Sequence, residues 1–219
     1  MHDECAELLR QKLADADFQK LAAIANPRLH RFVAEAIELC QPDEVLVLDD
    51  SPESRKLTRD RAVEASEETP LAIDGHTVHF DGPRDQGRDR EATKYLVPQS
   101  DTLSEALNQI ERGEGLAEVR GLMRGCMQGR SMIVRFLCLG PADSPFSIPC
   151  VECTDSWYVS HSLDLLYRPG YEQFKRLGDG GEHFAILHSA GRLDERMTSA
   201  DVDKRRIYID YSTDTVYSV

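Results

Sequence analysis

Apolar residues recur at helical spacing along the first forty positions. Leu9 and Leu13 share a face, as do Leu21 and Ile24, which predicts helix from about Glu4 to Ala25. Asn26-Pro27 stops one helix and starts another, because Asn caps a helix and Pro suits its first position. Leu29, Phe32, Val33, Ala36, Ile37 and Cys40 then form the clearest amphipathic stripe in the chain. After the Gln41-Pro42-Asp43 turn, Val45 to Leu48 reads as a short buried strand. Ser51 is placed to cap a charged surface helix from Pro52 to Glu68. Strand, cap and helix in that order make an α/β unit.

Leu71 to Phe80 carries a hairpin-like Asp74-Gly75, and Thr93 to Val97 predicts a strand. Thr102 to Arg112 and Leu116 to Arg124 are expected as helices broken at Gly113 and Gly115. Gly125 to Ser162 is expected to be the sheet core. Within it, Met132 to Leu139 reads as a strand buried on both faces. Arg135 interrupts that run and needs a partner or an exit to a cleft. Phe146 to Thr154 is the next strand, with Pro149 marking an edge or a bulge. Trp157, Val159, His161, Leu163, Leu165 and Tyr167 alternate with their neighbours, and period two predicts a strand. Tyr171 to Leu177 predicts a short helix and His183 to His188 a strand. Arg206 to Tyr211 follows with Ile207, Ile209 and Tyr211 on one face, then Thr215 to Val219. The fold class is therefore mixed α/β: N-terminal helices, then a mixed, largely antiparallel sheet flanked by helices.

Charge narrows the partners. With 26 Lys and Arg against 39 Asp and Glu, the net charge is -13. That argues against general nucleic-acid binding, which rests on cations facing phosphates. An anionic substrate stays open, because local arginines set the field in a cleft. No run of 18 apolar residues exists, so no transmembrane helix is expected. Met1 to Cys5 lacks the features of a signal peptide. The six cysteines then read as reduced thiols, and the expected location is cytoplasmic.

Candidate chemistry is sparse. Arg84, Arg88 and Arg90 lie in one polar, glycine-containing loop from Asp81 to Glu91. Guanidinium groups bind carboxylates and phosphates bidentately, so such a loop suits a small dianion. A solvated loop salted with Asp81, Asp85, Asp89 and Glu91 is the plainer reading. Cys150 and Cys153 form a Cys-x-x-Cys, but in a strand they point to opposite faces, which favours packing over zinc or redox work. The histidines show no metal-ligand spacing, and neither a phosphate-binding Gly-x-x-x-x-Gly-Lys-Ser/Thr loop nor a Gly-x-Ser-x-Gly elbow occurs.

Four runs in order carry a resemblance: Gly125-Cys126-Met127-Gln128-Gly129-Arg130-Ser131-Met132; Gly140-Pro141 with Ser144-Pro145; Thr154-Asp155-Ser156 with Tyr158-Val159; and Leu187-His188-Ser189-Ala190-Gly191. Together they resemble the GTP-dependent phosphoenolpyruvate carboxykinases. Asp85-Gln86-Gly87-Arg88 and Leu165 to Tyr171 are similar to the archaeal-type branch. The resemblance covers about His76 to Val219.

It implies that residues 1–219 are the N-terminal, substrate-side portion of such an enzyme, which converts oxaloacetate and GTP to phosphoenolpyruvate, GDP and CO2. It implies that Arg88 contacts the carboxylate of oxaloacetate or phosphoenolpyruvate, with Arg84 and Arg90 nearby. GTP and a divalent metal, Mn2+ or Mg2+, are implied for the family, at sites beyond this chain. The segment alone is then expected to be inactive, and to self-associate if a normally covered face is exposed. The alternative is a stand-alone, non-catalytic module that binds a small carboxylate or a partner protein.

Overall fold

The computed structural model describes residues 3–80, 90–195 and 199–219. The N-terminal helical stretch is two helices, α1 (Asp3–Lys12) and α2 (Asp15–Ala22), rather than one. Helix α3 (Pro27–Cys40) begins where expected: Leu29 N donates to Asn26 Oδ1 at 3.0 Å. The fully buried Asn26 side chain also donates to the carbonyls of Gly178 and Gly181, at 3.1 and 3.0 Å. A local cap thereby ties the N-terminal helices to a turn far along the chain. Strand β1 (Glu44–Val47) and helix α4 (Pro52–Glu64) follow, and Ser51 caps α4 through Ser54 N. Helix α4 stops short of the expected Glu68, which leaves Glu67 and Glu68 free to face other elements. β2 (Thr69–Pro70) and β3 (Thr77–Val78) pair antiparallel across a turn in which Gly75 has a φ of 75°.

β4 (Thr93–Val97) falls on the predicted residues, but the next segment differs. In place of a helix from Thr102, β5 (Gln109–Glu111) forms, and α5 (Arg112–Met123) starts at Arg112 and runs through both glycines. Gly115 is a contact rather than a break. A Cβ there would sit 2.4 Å from Leu96 Cδ2 and 2.9 Å from Ile110 Cγ2, so its bareness lets α5 lie close on the sheet.

β6 (Ser131–Leu139) and β7 (Ile148–Thr154) pair antiparallel. Trp157 to Leu166 is helix α6, not a strand. Ser156 caps it by accepting from Val159 N at 3.2 Å, and Trp157, Ser160 and Leu163 are buried at helical spacing. β8 (Arg168–Pro169), α7 (Tyr171–Leu177), β9 (Phe184–His188), a 3-10 turn (Val202–Lys204), β10 (Ile207–Asp210) and β11 (Thr215–Ser218) complete the described elements. In β10 the buried residues are Tyr208 and Asp210, on the face opposite Ile207 and Ile209.

The mixed α/β class and the flanking helices are as expected. The large sheet has nine strands, ordered β1-β6-β7-β9-β11-β10-β4-β5 with β8 beside β6. Its balance differs from the expectation. The β1–β6, β7–β9, β9–β11, β10–β4 and β4–β5 pairings are parallel, and only β6–β7, β6–β8 and β10–β11 are antiparallel. β1 and β4 join strands far along the chain, β6 and β10, whereas β5 lies parallel to its sequence neighbour β4.

Strand β6 divides the core. Met132, Val134 and Phe136 face α1, α2, α3, α5 and α7, whereas Ile133 and Leu137 face α4 and α6. Arg135 lies on the second face, buried, and finds its partners there. It pairs with Asp164 of α6, has Thr58 Oγ1 of α4 at 3.5 Å, and is registered opposite Glu152 of β7. Cys150 and Cys153 point to opposite faces as expected, into two different clusters.

Candidate functional site

β7, β9 and β11 end on the same side of the sheet, where β6 begins. A cleft of about 770 Å³ opens there, lined among others by Glu67, His79, Cys126, Arg130, Tyr158 and Ser189. Three of the four sequence runs singled out above meet at this edge. The fourth, Gly140-Pro141 with Ser144-Pro145, lies in the connection between β6 and β7 at the far end. It is structural there: Gly140 has a φ of 74°, and a Cβ on it would meet Phe146 O at 2.6 Å.

The centre of the site is Asp155, whose side chain is fully buried. It accepts from Arg130 Nη1, Ser189 Oγ and Ala190 N, each at 2.8 Å. Arg130 also donates to Gly191 O. The carboxylate therefore joins the turn before β6, the turn after β7 and the turn after β9 in charge-assisted bonds. Beside it, Thr154 Oγ1 and His188 Nδ1 are 2.7 Å apart. Burial pushes the His188 pKa down, which keeps its ring neutral.

The opposite wall is pinned by Glu67. Its Oε2 accepts from Ser156 Oγ at 2.7 Å and from Tyr158 N at 2.8 Å, at the start of α6. A carboxylate suits that end of a helix, where backbone N–H groups lack partners. His79 stacks on Tyr158 with ring centroids 3.6 Å apart and planes 15° apart. His161, expected on a strand, is on α6, with Nδ1 2.8 Å from Glu68 Oε1.

The lining has its own charge balance. Among the described residues at the cleft, Arg130, Arg192, Lys204 and Arg205 are cationic, against Glu67, Asp201 and the buried Asp155; Arg130 is paired with Asp155, and Arg192 and Lys204 with Asp201. This is a locally positive cleft in a chain of net charge -13. Such a cleft concentrates anions, and its fixed donors orient them rather than transfer protons.

The loop arginines are only partly visible. Arg84 and Arg88 lie outside the described residues. Arg90 is exposed, and its carbonyl accepts from Asn108 Nδ2 at 2.5 Å. The chain on either side of residues 81–89 borders the cleft. His79 lines it, and Ala92 O accepts from Ile207 N, another lining residue, at 3.0 Å. Sequence reasoning assigned no role to Glu67, Arg130 or Asp155. The signal for Arg130 and Asp155 was their place inside two of the runs, whereas Glu67 had none, since it falls within the helix expected to run to Glu68.

Among the described residues no group of three His, Cys, Asp or Glu stands together as a metal site, and no helix is long and apolar enough to cross a membrane.

Comparison with known proteins adds an independent finding. The family profile of the phosphoenolpyruvate carboxykinase N-terminal domain matches residues 31–219. A curated phosphoenolpyruvate carboxykinase (GTP) from Pyrococcus horikoshii is 51% identical over 212 residues, covering 97% of this chain and 34% of its own length. The protein of the same name from Thermococcus kodakarensis is 50% identical over 213 residues, covering 97% and 34%. That from Saccharolobus solfataricus is 42% identical over 201 residues, covering 92% and 31%. The chain spans about a third of the length of these relatives.

Proposed function

Because the chain belongs to the phosphoenolpyruvate carboxykinase N-terminal domain family, we propose that it is the substrate-side portion of a GTP-dependent phosphoenolpyruvate carboxykinase. The whole enzyme would decarboxylate oxaloacetate and phosphorylate the resulting enolate from GTP. The observation that carries this reading is the meeting of three family-like runs at one locally positive cleft.

Arg88 is assigned to a substrate carboxylate, which it would hold bidentately in a positioning role. Arg84 and Arg90 are assigned to the same loop as supporting cations. The cleft wall at His79 and the Ala92–Ile207 bond, on either side of that loop, support this assignment. The described residues do not fit a divalent metal, so we assign Mn2+ or Mg2+, with GTP, to parts of the enzyme beyond this chain. We place the enzyme in the cytoplasm, in keeping with six free thiols.

Titration calorimetry of the 219-residue chain with oxalate and with phosphoenolpyruvate tests the assignment. The expected result is weak binding that Arg88→Ala reduces by about tenfold or more, as the loss of a charge-assisted bond predicts. Binding untouched by Arg88→Ala would overturn the role of that residue. No binding by the wild type would overturn a substrate site held by this chain alone. GTP-dependent turnover by the purified chain would overturn its reading as one portion of the enzyme.

A further inference from the structure

Two thiols at the cleft have no part in that reading. Cys40 is the last residue of α3, and Cys126 sits in the turn after α5. Two backbone bonds join their segments: Gly125 N donates to Leu39 O at 2.8 Å, and Met127 N donates to Cys40 O at 3.0 Å. Cys40 is fully buried, whereas Cys126 is partly exposed and lines the cleft. One thiol therefore meets solvent through the cleft and the other waits behind it.

Their surroundings differ in sense. Cys126 is pulled below the usual thiol range by a hydrogen bond from Cys40, with Ser189 and the Arg130 guanidinium adding to it. Burial and the nearby Asp155 carboxylate oppose this. Cys40, as the buried donor, is pushed far above that range. A partly exposed, cleft-lining thiol backed by a buried second cysteine is the arrangement of a peroxide-reactive site with its resolving partner. The other cysteines lack it. Cys138, Cys150 and Cys153 are buried, and burial pushes Cys150 up to about 12. Cys5 is partly exposed on α1 and serves as an internal comparison.

We propose that Cys126 is an oxidation site that takes a hydroperoxide through the cleft, and that Cys40 resolves it as a Cys40–Cys126 disulfide. The Cys126 thiolate attacks a peroxide oxygen. The O–O bond breaks, an S–O bond forms, and the departing oxygen takes up a proton as water or an alcohol. Sulfur loses two electrons and the peroxide gains them. The Cys40 sulfur then attacks the sulfenic sulfur. An S–S bond forms, the S–O bond breaks, and hydroxide leaves as water with the Cys40 proton.

The test treats the 219-residue chain with hydrogen peroxide, blocks free thiols and maps tryptic peptides by mass spectrometry. Residues 32–55 carry Cys40 and residues 125–130 carry Cys126, with no other cysteine in either peptide. The expected product joins these two peptides, is reversed by dithiothreitol, and forms about tenfold faster than any oxidation of Cys5, as thiolate character predicts. In Cys40→Ala, dimedone should instead trap the sulfenic acid at Cys126. Oxidation of Cys5 with Cys126 still reduced would overturn the proposal, as would a bridge from Cys40 to Cys153. The wild-type map needs no variant, so a poorly folded Cys40→Ala chain does not blunt the test.

Discussion

Arg130 Nη1 lies 2.8 Å from Asp155 Oδ2, and the Asp155 side chain has no exposure to solvent. The buried partner is Asp155; the Arg130 side chain keeps 29% exposure, so solvent screens part of what the loss of the pair leaves behind. Asp155→Asn keeps the shape but removes the charge opposite Arg130 and turns a donor toward it or toward Ala190 N. The expected cost is about 1–3 kcal/mol, read from the shift of a urea unfolding midpoint.

Glu152 makes the pH dependence of stability unusual. Burial pushes its pKa from 4.5 up to about 7, against the opposing pull of Arg135. A carboxyl group raised in the folded state stays protonated there while the unfolded chain has already ionised. Stability from this group is complete below about pH 4.5, falls as pH rises, and levels off above about 7. Buried His183, pushed down to about 4, acts the other way and loses stability as pH falls from 6.5. Comparing Glu152→Gln with wild type isolates the first effect, since the histidines are common to both. The variant should gain about 3 kcal/mol on the wild type between pH 4.5 and pH 8. A constant difference in urea midpoints across that range would contradict the raised pKa.

Gly115 tests the packing of α5. Alanine normally strengthens a helix by about 1 kcal/mol over glycine. Here its Cβ would fall 2.4 Å from Leu96 Cδ2, a fully buried side chain. Gly115→Ala should therefore destabilise by about 1–3 kcal/mol, while Gly121→Ala, with nothing within 4 Å, should be neutral or favourable. Thermal melts of the two variants provide the comparison.

Glu67→Ala should release the cleft wall without unfolding the sheet. The Tyr158 amide loses its acceptor at 2.8 Å, so its hydrogen exchange should speed up, while amides in β6 and β7 keep their protection. Equal acceleration in both places would mean that Glu67 supports the whole fold.

What could be read from the sequence was local. Asn26 and Ser51 cap the helices they precede because a side-chain oxygen reaches an N–H three residues on, within one turn of chain. The α3 stripe was legible for the same reason. Trp157 to Leu166 misled because alternation and a short helical face share positions: Trp157 and Leu163 fit both, and the exposed Leu165 favoured the strand, whereas the equally apolar Leu166 broke the alternation. The decisive clue was Ser156, a cap whose acceptor role needs a helix after it. Gly113 and Gly115 looked like breakers because close packing leaves no mark in a single sequence. The cleft was legible as motif runs but not as a place. Arg130 and Gly191 meet across 61 positions, and only the sheet brings them together.

The same long reach bears on how the chain comes into being. β1 joins the sheet only through β6, with Glu44 opposite Ser131, 87 positions later. At a ribosomal pace of about 5–20 residues per second, β1 waits roughly 4–17 s for its neighbour to be synthesised. Through that interval Val45 and Val47 have no strand beside them, and α1, α2 and α3 can pack only on one another and on β1. The N-terminal helices and β1 therefore take their final places only after β6 has been made, more than half-way along the chain.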